Sequence, residues 1–592
     1  MFLVTTAVPG FRNREVPSVL LGPWCLDRLD SPEAGGRPAK MLPNLWDDRR
    51  LLRESARACT AKYGILLPRL ARKLDEVHGG ARRDRYWDVL IGPWLTYSIH
   101  HYYDRWMQIR AALRAYPDLT SLTLDPRDFV TPTDSEDFLR LFTSDYYNLQ
   151  LYSQILSHLG VRATTARTPL TGLMRQTRPA PAAPPLRVRL DGALRSACDA
   201  AVSLGLASTA TDQLYPSGSL YWSFVARARF SALPINPAPL HTPAPARGAA
   251  RASLATIAAD DDFERLFVSA LPHSFPSLYL EGFAQASAAT RRAYPRAPRL
   301  AFFGSSLYYE DAKKFAVAEW SEKGTRILGF QHGGQYGTAD YSLAEEHERR
   351  ISDRYFTWGW SARDGDPKLG DLPVPKYSAG RRRDPFPWSQ RSRDILVVCA
   401  EGLMNAHHLF PYPLGDQWNR YFDWRCRFIA ALPPERFAHL RIRPSPQDYG
   451  LKQKERLAGR FPAIGFDDAG VPFTRSCDKA RWVVTDHPGT TFLECLALNR
   501  PGTHFWDPAL WETRPSALPL FEELRRVGII HHTPEEAARF IEKNYESAGS
   551  WWRSADVQKA RSRFVEAYAR TSADWASDWA GALERERRAA NG

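Results

Sequence analysis

The sequence predicts an α/β protein in which two doubly wound halves face a cleft, with an added helix-rich amino-terminal region. Three observations lead there. From about residue 297, "PRLAFFGSS", "EDAKKFAVAEWSEKG" and "TRILGFQHGG" read as strand, helix and strand, a βαβ unit. Beyond a Gly-, Pro- and charge-rich stretch at 361–393, "DILVVCAEG" (394–402), "AHLRIRPSP" (438–446), "RWVVTDHPG" (481–489) and "RPGTHFWDP" (500–508) repeat a pattern of short apolar runs with polar exits. The chain's 592 residues are also too many for one hydrophobic core.

Taken in order, residues 1–165 form the amino-terminal region. "SVLLGPWC" (18–25) reads as a strand running into a Gly-Pro turn. Residues 46–79 are helical by periodicity, with Asp47 or Asp48 as N-cap and Pro68 as a break. Residues 85–116 are a second long helical region, which Gly92-Pro93 interrupts or starts. Residues 166–255 read as a Pro-rich linker and helical insertion, from "RQTRPAPAAPPL" (175–186) and "LPINPAPLHTPAPARGAAR" (233–251). Residues 256–375 make the first Rossmann-like half, packed with 1–165. Residues 390–592 make the second, with carboxyl-terminal helices.

Composition narrows the function. Apolar residues at 44% and charged residues at 24% are ordinary for a soluble globular chain. The net charge of +13 is spread along the sequence and favours an anionic partner, a nucleotide or an acidic membrane face. Nucleic acid is disfavoured, because zinc-finger spacing, RNP-like aromatics and a basic-helix array are all missing. Seven scattered cysteines without a CxxC suggest reduced thiols and a cytoplasmic protein. No run is long and apolar enough for a membrane span, and the first residues read as strand rather than signal peptide. Peripheral docking on the inner face of the cytoplasmic membrane fits the charge. The sequence has no G-x-G-x-x-G, Walker A, G-x-S-x-G or metal-ligand spacing, so we expect neither cofactor nor metal.

"WDDRRLL", "RYWDVLIGPWLTY…YDRW", "QHGGQYG…EEHERRISDRYFTWGW" and "TTFLECLALNRPGTHFWDPALWE", in this order, resemble a family of surface-polysaccharide (O-antigen) transferases. The resemblance covers most of the chain outside the Pro-rich stretches near 175–250. More remotely, the carboxyl half looks like the nucleotide-binding half of bacterial Kdo- and sialic-acid-type transferases of the glycosyltransferase-B fold, which use CMP-sugars. Their Lys-x-His-Pro signature reads Arg441-Ile442-Arg443-Pro444 here. The resemblance implies a glycosyltransferase that moves a sugar from a nucleotide-activated donor to a glycan or lipid-linked glycan. The alternatives are a glycerol- or ribitol-phosphate transferase using a CDP-alcohol, and a non-catalytic glycan-binding assembly protein.

Four constellations could carry that chemistry. In "TDHPGTTFLE" a strand exits at Asp486, turns through His487-Pro488-Gly489 and starts a helix at Thr490-Thr491, where free N–H groups suit a phosphate. Glu494 could bind a ribose hydroxyl, although Thr491 and Glu494 also spell a capping box. Arg441 and Arg443 share one strand face and could neutralise a leaving phosphate, unless they are a solvated edge. Gln331, His332, Gly333 and Gly334 lie at a strand exit. There His332 could protonate the leaving phosphate or orient the acceptor, and the glycines would admit the donor; the plainer reading is a tight turn. Asp47 and Asp48 offer a carboxylate as base or nucleophile, or merely cap a helix; Asp104, Glu345 and Glu346 are weaker rivals.

Overall fold

The computed structural model describes residues 1–13, 15–26, 39–168, 186–212, 218–246, 248–380, 392–405 and 408–590. The Pro-rich stretch at 175–186 and most of the expected boundary near 376–389 therefore lie outside, or largely outside, the described residues. The α/β class with doubly wound parallel sheets facing a cleft is what the chain has, and a third sheet is added to the two expected.

The amino-terminal region is not one strand followed by helices. It holds β1 (Phe2–Val4), β2 (Ser18–Leu20), β3 (Ala39–Met41), β4 (Thr120–Leu124) and β5 (Arg162–Ala166). They form one parallel sheet in the order β3-β2-β1-β4-β5. The sequence hid β3 to β5 because they are short and polar, and edge strand β5 is almost wholly exposed. Two long helices, α1 (Arg49–His78) and α2 (Asp84–Ala115), pack against each other. Asp48 caps α1 by accepting from Leu51 N. Both helices run through Pro68 and Pro93 without a break, contrary to expectation. A proline inside a helix costs about 3 kcal/mol. The buried stripe of α1, including Leu52, Tyr63, Leu66, Leu70 and Leu74, outweighs that cost.

The second sheet comprises β6 (Thr209–Thr211), β7 (Ala232–Pro234), β8 (Leu300–Phe303), β9 (Arg326–Phe330), β10 (Arg354–Thr357) and β11 (Leu369–Asp371). Its order is β11-β10-β9-β8-β6-β7. Thus residues 166–255, expected to be linker and helical insertion, supply two strands of this sheet. Each is only three residues long, and Pro234 is tolerated because β7 is an edge. The third sheet comprises β12 (Ile395–Val398), β13 (Leu440–Arg443), β14 (Gly465–Phe466) and β15 (Trp482–Thr485), ordered β14-β13-β12-β15. A bridge from Val483 to Gly502 links it to the pair β16 (His504–Phe505) and β17 (Ile530–His531). "LAFF" and "ILVV" are buried along their whole length, as parallel strands covered on both faces must be.

The last helix, Trp575–Ala589, returns to the second sheet rather than staying with the carboxyl half. Trp579 stacks edge-on against Phe224, Phe302 and Phe330, and Arg326 pairs with Glu586 at 2.9 Å. Among the described residues no helix is long and apolar enough to cross a membrane.

"WDD" and "YDRW" meet in the amino-terminal core. Trp46 Nε1 donates to Asp104 Oδ1 at 2.6 Å, and Asp104 pairs with Arg105 at 2.8 Å, both fully buried. Burial pushes the Asp104 carboxyl up, against the pull of Arg105. Asp104→Ala should therefore destabilise the chain by about 3–5 kcal/mol, since it strips a buried cation of its carboxylate. Chemical denaturation would measure this, and a midpoint unchanged from the parent would refute the structural role.

Candidate functional site

The loop leaving β9 is shaped by its first residue. Gln331 is buried, and its backbone N–H donates to Phe356 O at 2.8 Å. Its side-chain oxygen accepts from Trp358 N (3.0 Å) and Trp360 Nε1 (2.8 Å), while its amide donates to Gly333 O at 2.8 Å. These polar atoms face inward, so the expected donor contact by Gln331 is corrected to a brace.

His332 is placed differently. Its ring lines a cavity of about 400 Å³ between the second and third sheets, together with Gly333, Gly334, Gly489 and Thr490. Nε2 lies 2.6 Å from Glu348 Oε1 and 2.7 Å from the Tyr336 hydroxyl. Glu348, buried on the helix Leu343–Ile351, also accepts from Tyr355 OH at 3.0 Å. Burial pulls the His332 pKa down, but the Glu348 carboxylate and its hydrogen bond outweigh burial, so the ring keeps its proton above the ordinary 6.5. Nδ1 has no partner among the described residues.

Across the cavity, β15 ends at Thr485 and the helix Thr490–Ala497 begins. Gly489 is its N-cap and no side chain caps it. The capping box is not formed: with Gly489 as cap, its third position is Phe492, and Glu494 lies two residues beyond. Thr491 Oγ1 lies 3.2 Å from His487 Nε2, and buried Glu494 pairs with Lys376 at 2.8 Å. That pairing removes Glu494 from the expected ribose contact. The two sheets meet at backbone distance here. Gly334 N donates to Thr490 Oγ1 at 3.0 Å, and a methyl group on Gly334 would lie 2.5 Å from Thr490 N.

A neighbouring cavity of about 640 Å³ is lined by His487, Glu401, Trp511 and Gln335, the last shared with the first cavity. His487 Nδ1 lies 2.9 Å from Asp486 Oδ1. Asp486 is fully buried, pairs with Arg425 and accepts from Ala400 N at 2.9 Å. Burial would raise the Asp486 pKa, but Arg425 and then His487 hold it below the usual carboxylate range. Burial raises the Glu401 carboxyl.

Four expected site residues lie elsewhere. Arg443 bonds Asp467 at 2.5 Å, and also the Ser476 hydroxyl and the carbonyls of Asp468, Ala469 and Val471. Arg441 donates to Ala438 O and Leu440 O and faces Asp394 at 3.4 Å. The arginines are matched by protein acceptors and line neither cavity. Asp47 accepts from Gln417 Nε2 at 2.9 Å and pairs with Arg420, tying the amino-terminal region to the third sheet's helix Gln417–Ala430. Asp48 caps α1. Both line a separate cavity, so a catalytic role for Asp47 and Asp48 is corrected to an interdomain tie and a helix cap.

Glu348, Tyr336, His487 with Asp486, and Glu401 were not singled out from sequence as acid, base or orienting groups. Glu348 left a faint signal, lying three residues before Ile351 and four after Ala344 on the inward stripe of its helix.

The family model described as LIC12162 family transferase matches residues 1–583. Among curated proteins none matches the chain. Three similar solved structures are distant. HepE from Anabaena, in complex with UDP and glucose, is 12% identical over 64% of this chain and 99% of that one, with a TM-score of 0.36. The wall teichoic acid polymerase TagF, soaked with CDPG, is 9% identical over 68% and 96%, with a TM-score of 0.35. UDP-GlcNAc 2-epimerase from Neisseria meningitidis, bound to UDP-GlcNAc, is 11% identical over 61% and 98%, with a TM-score of 0.32.

The close approach at Gly334 makes a sharp prediction. Gly334→Ala should push the β9 loop off the helix start and lower activity at least about tenfold, whereas Gly64→Ala, at an open helical position, should not. Equal activity of the two variants would show that the contact is dispensable.

Proposed function

The chain belongs to the LIC12162 family of transferases, and from that premise we propose that it is a glycosyltransferase working between the second and third sheets. It would move a sugar from a nucleotide-activated donor to a surface-glycan acceptor. One observation carries the reading: His332, backed by Glu348, and the uncapped helix start at Gly489-Thr490 line the same cavity at the carboxyl ends of two parallel sheets.

A departing nucleotide carries phosphate charge that something must stabilise. Among the described residues no lysine or arginine lines either cavity. The positive groups on offer are the helix start and the His332 imidazolium, whose charge Glu348 sustains. His332 donates its Nδ1 proton, or a hydrogen bond, to the leaving phosphate. His487 is held by a different carboxylate. Ionised Asp486 takes Nδ1–H, which leaves Nε2 as an acceptor, next to the Thr491 hydroxyl. His487 is the group we assign to receive the acceptor's hydroxyl proton, in place of Asp47 or Asp48. The aromatic walls, Tyr97, Phe410, Tyr412 and Trp511, suit sugar or base faces. Lipid linkage of the acceptor and docking on an anionic membrane extend the same proposal, supported by the net charge of +13.

The pH dependence follows from the His332 pKa, raised in the folded chain. The His332–Glu348 pair stabilises fully below about pH 6.5 and loses that contribution as pH rises through the raised value. Activity should fall over the same upper range as the imidazolium deprotonates. Glu348→Gln should move that fall to lower pH, since burial is then opposed only by the weaker pull of Asp212. His332→Ala should cut turnover by about 10²–10⁴-fold at neutral pH. Rate profiles of the three proteins with a nucleotide-sugar panel would test this, and an unshifted upper limb in Glu348→Gln would remove His332 as the acid.

With the leaving-group charge met by imidazolium and backbone N–H groups, turnover should survive EDTA. Loss on chelation with recovery on adding magnesium or manganese would overturn that account.

A further inference from the structure

The amino-terminal sheet has a crevice of its own, which the transfer chemistry leaves unused. From β1 the order runs out through β2 to β3; from β4 it runs the other way to β5. The reversal falls between β1 and β4, and open parallel sheets take ligands outside the carboxyl ends of their strands at such a reversal. A cavity of about 520 Å³ opens there. Its walls are the segment leaving β1, Leu122 of β4 and Cys25 just beyond β2. The described part of the β1–β2 connection contains no helix, and Gly10, at φ +85°, turns it in a conformation that suits glycine.

Three donors converge on this space. Arg12 has a buried Nε, and its guanidinium makes no hydrogen bond or ion pair with any described residue. Other well-shielded arginines here do have carboxylates: Arg49 has Glu512, Arg251 has Glu281, Arg425 has Asp486 and Arg443 has Asp467. A shielded guanidinium nitrogen without an acceptor is costly unless a ligand supplies one. Asn13 uses Oδ1 to accept from Glu15 N at 2.9 Å, and its Nδ2 has no acceptor among the described residues. Buried Thr6 accepts from Val8 N at 3.5 Å, so its hydroxyl proton is left to donate. Glu15 adds a carboxylate to the lining, but it is exposed at the rim. Burial pushes the Cys25 thiol up to about 12, which suits a wall rather than a nucleophile.

We propose that this crevice binds a phosphate-bearing ligand, held by Arg12, the Asn13 amide and the Thr6 hydroxyl. Its neighbourhood indicates a use. Trp24, beside Cys25, lies against Gly415, and Asn44 beyond β3 donates to Leu414 O at 2.9 Å, so the carboxyl edge of this sheet faces the third sheet. The phosphate could belong to a second nucleotide or to a lipid-linked acceptor. The binding claim stands on the topology and on Arg12; only its link to an acceptor rests on the transferase reading.

The test is calorimetric titration of the full chain with inorganic pyrophosphate, a nucleotide panel and farnesyl diphosphate. His332→Ala, Arg12→Ala and Arg12→Lys are compared with the parent. In the His332→Ala background, where the transfer site has lost its own imidazolium contact to phosphate, pyrophosphate should still bind, and adding Arg12→Ala should weaken that binding about ten- to hundredfold, with Arg12→Lys between. Competition by nucleotides would identify a nucleotide site, and competition by farnesyl diphosphate an acceptor site. Binding indifferent to Arg12, binding lost only in His332→Ala, or competition by neither probe would each overturn the proposal. If Arg12→Ala fails to fold, Asn13→Asp, which sets a carboxylate among the donors, must abolish pyrophosphate binding for the proposal to stand.

Discussion

The backbone contact between Gly334 and Thr490 is the constraint on which the site depends. The exit loop of β9 and the helix start after β15 come from different sheets, yet a methyl group does not fit between them. Two consequences follow from that distance. The Gly334 N–H reaches the Thr490 hydroxyl, which fixes the loop against the helix. The rings on either side, His332 and His487, are then held beside adjoining cavities that share Gln335. A larger residue at 334 would separate the sheets and take the two histidines out of register.

Behind each histidine stands a carboxylate that water hardly reaches. Glu348 is shared by His332, Tyr336 and Tyr355; Asp486 is shared by His487, Arg425 and the Ala400 N–H. Charges buried in this way stabilise a fold little, and removing one partner is what costs. Their value is orientation. Each carboxylate fixes a ring and its proton, and the two pairs differ in consequence, since Glu348 raises the charge-holding capacity of its histidine whereas Asp486 is itself held ionised by Arg425.

The amino-terminal region is a third wall of the cleft rather than an appendage. Tyr97 of α2 lines both cavities. Asp47, Asn44 and Arg49 bind Arg420, Leu414 O and Glu512 of the carboxyl half. The last helix crosses back to the second sheet through Trp579. With the chain tied at both ends, any hinge between the sheets must move against these contacts.

The sequence by itself determined the α/β class, the βαβ unit around β8 and β9, and the short apolar strands of the third sheet, because buried parallel strands must read as apolar runs. It also singled out His332, Gly333, Gly334, Gly489 and Thr490, which the fold brings to one cavity, since glycine-rich exits and helix starts are local features. It did not show β3 to β5 of the amino-terminal sheet or the strands in 209–234, which are too short or too polar to carry a period of their own and gain their place only from neighbours. Nor did it separate the arginines that bind protein from those free to bind a ligand. Arg441 and Arg443 look exposed to an anion until the loop at 467–476 closes on Arg443, while Arg12 looks ordinary until its Nε is buried with no carboxylate beside it among the described residues. The pairing of His332 with Glu348 and the reassignment of Asp47 and Asp48 were likewise decided only by the tertiary structure. A side chain's role depends on which acceptor lies within three ångströms of it, and residues far apart in sequence supply that acceptor.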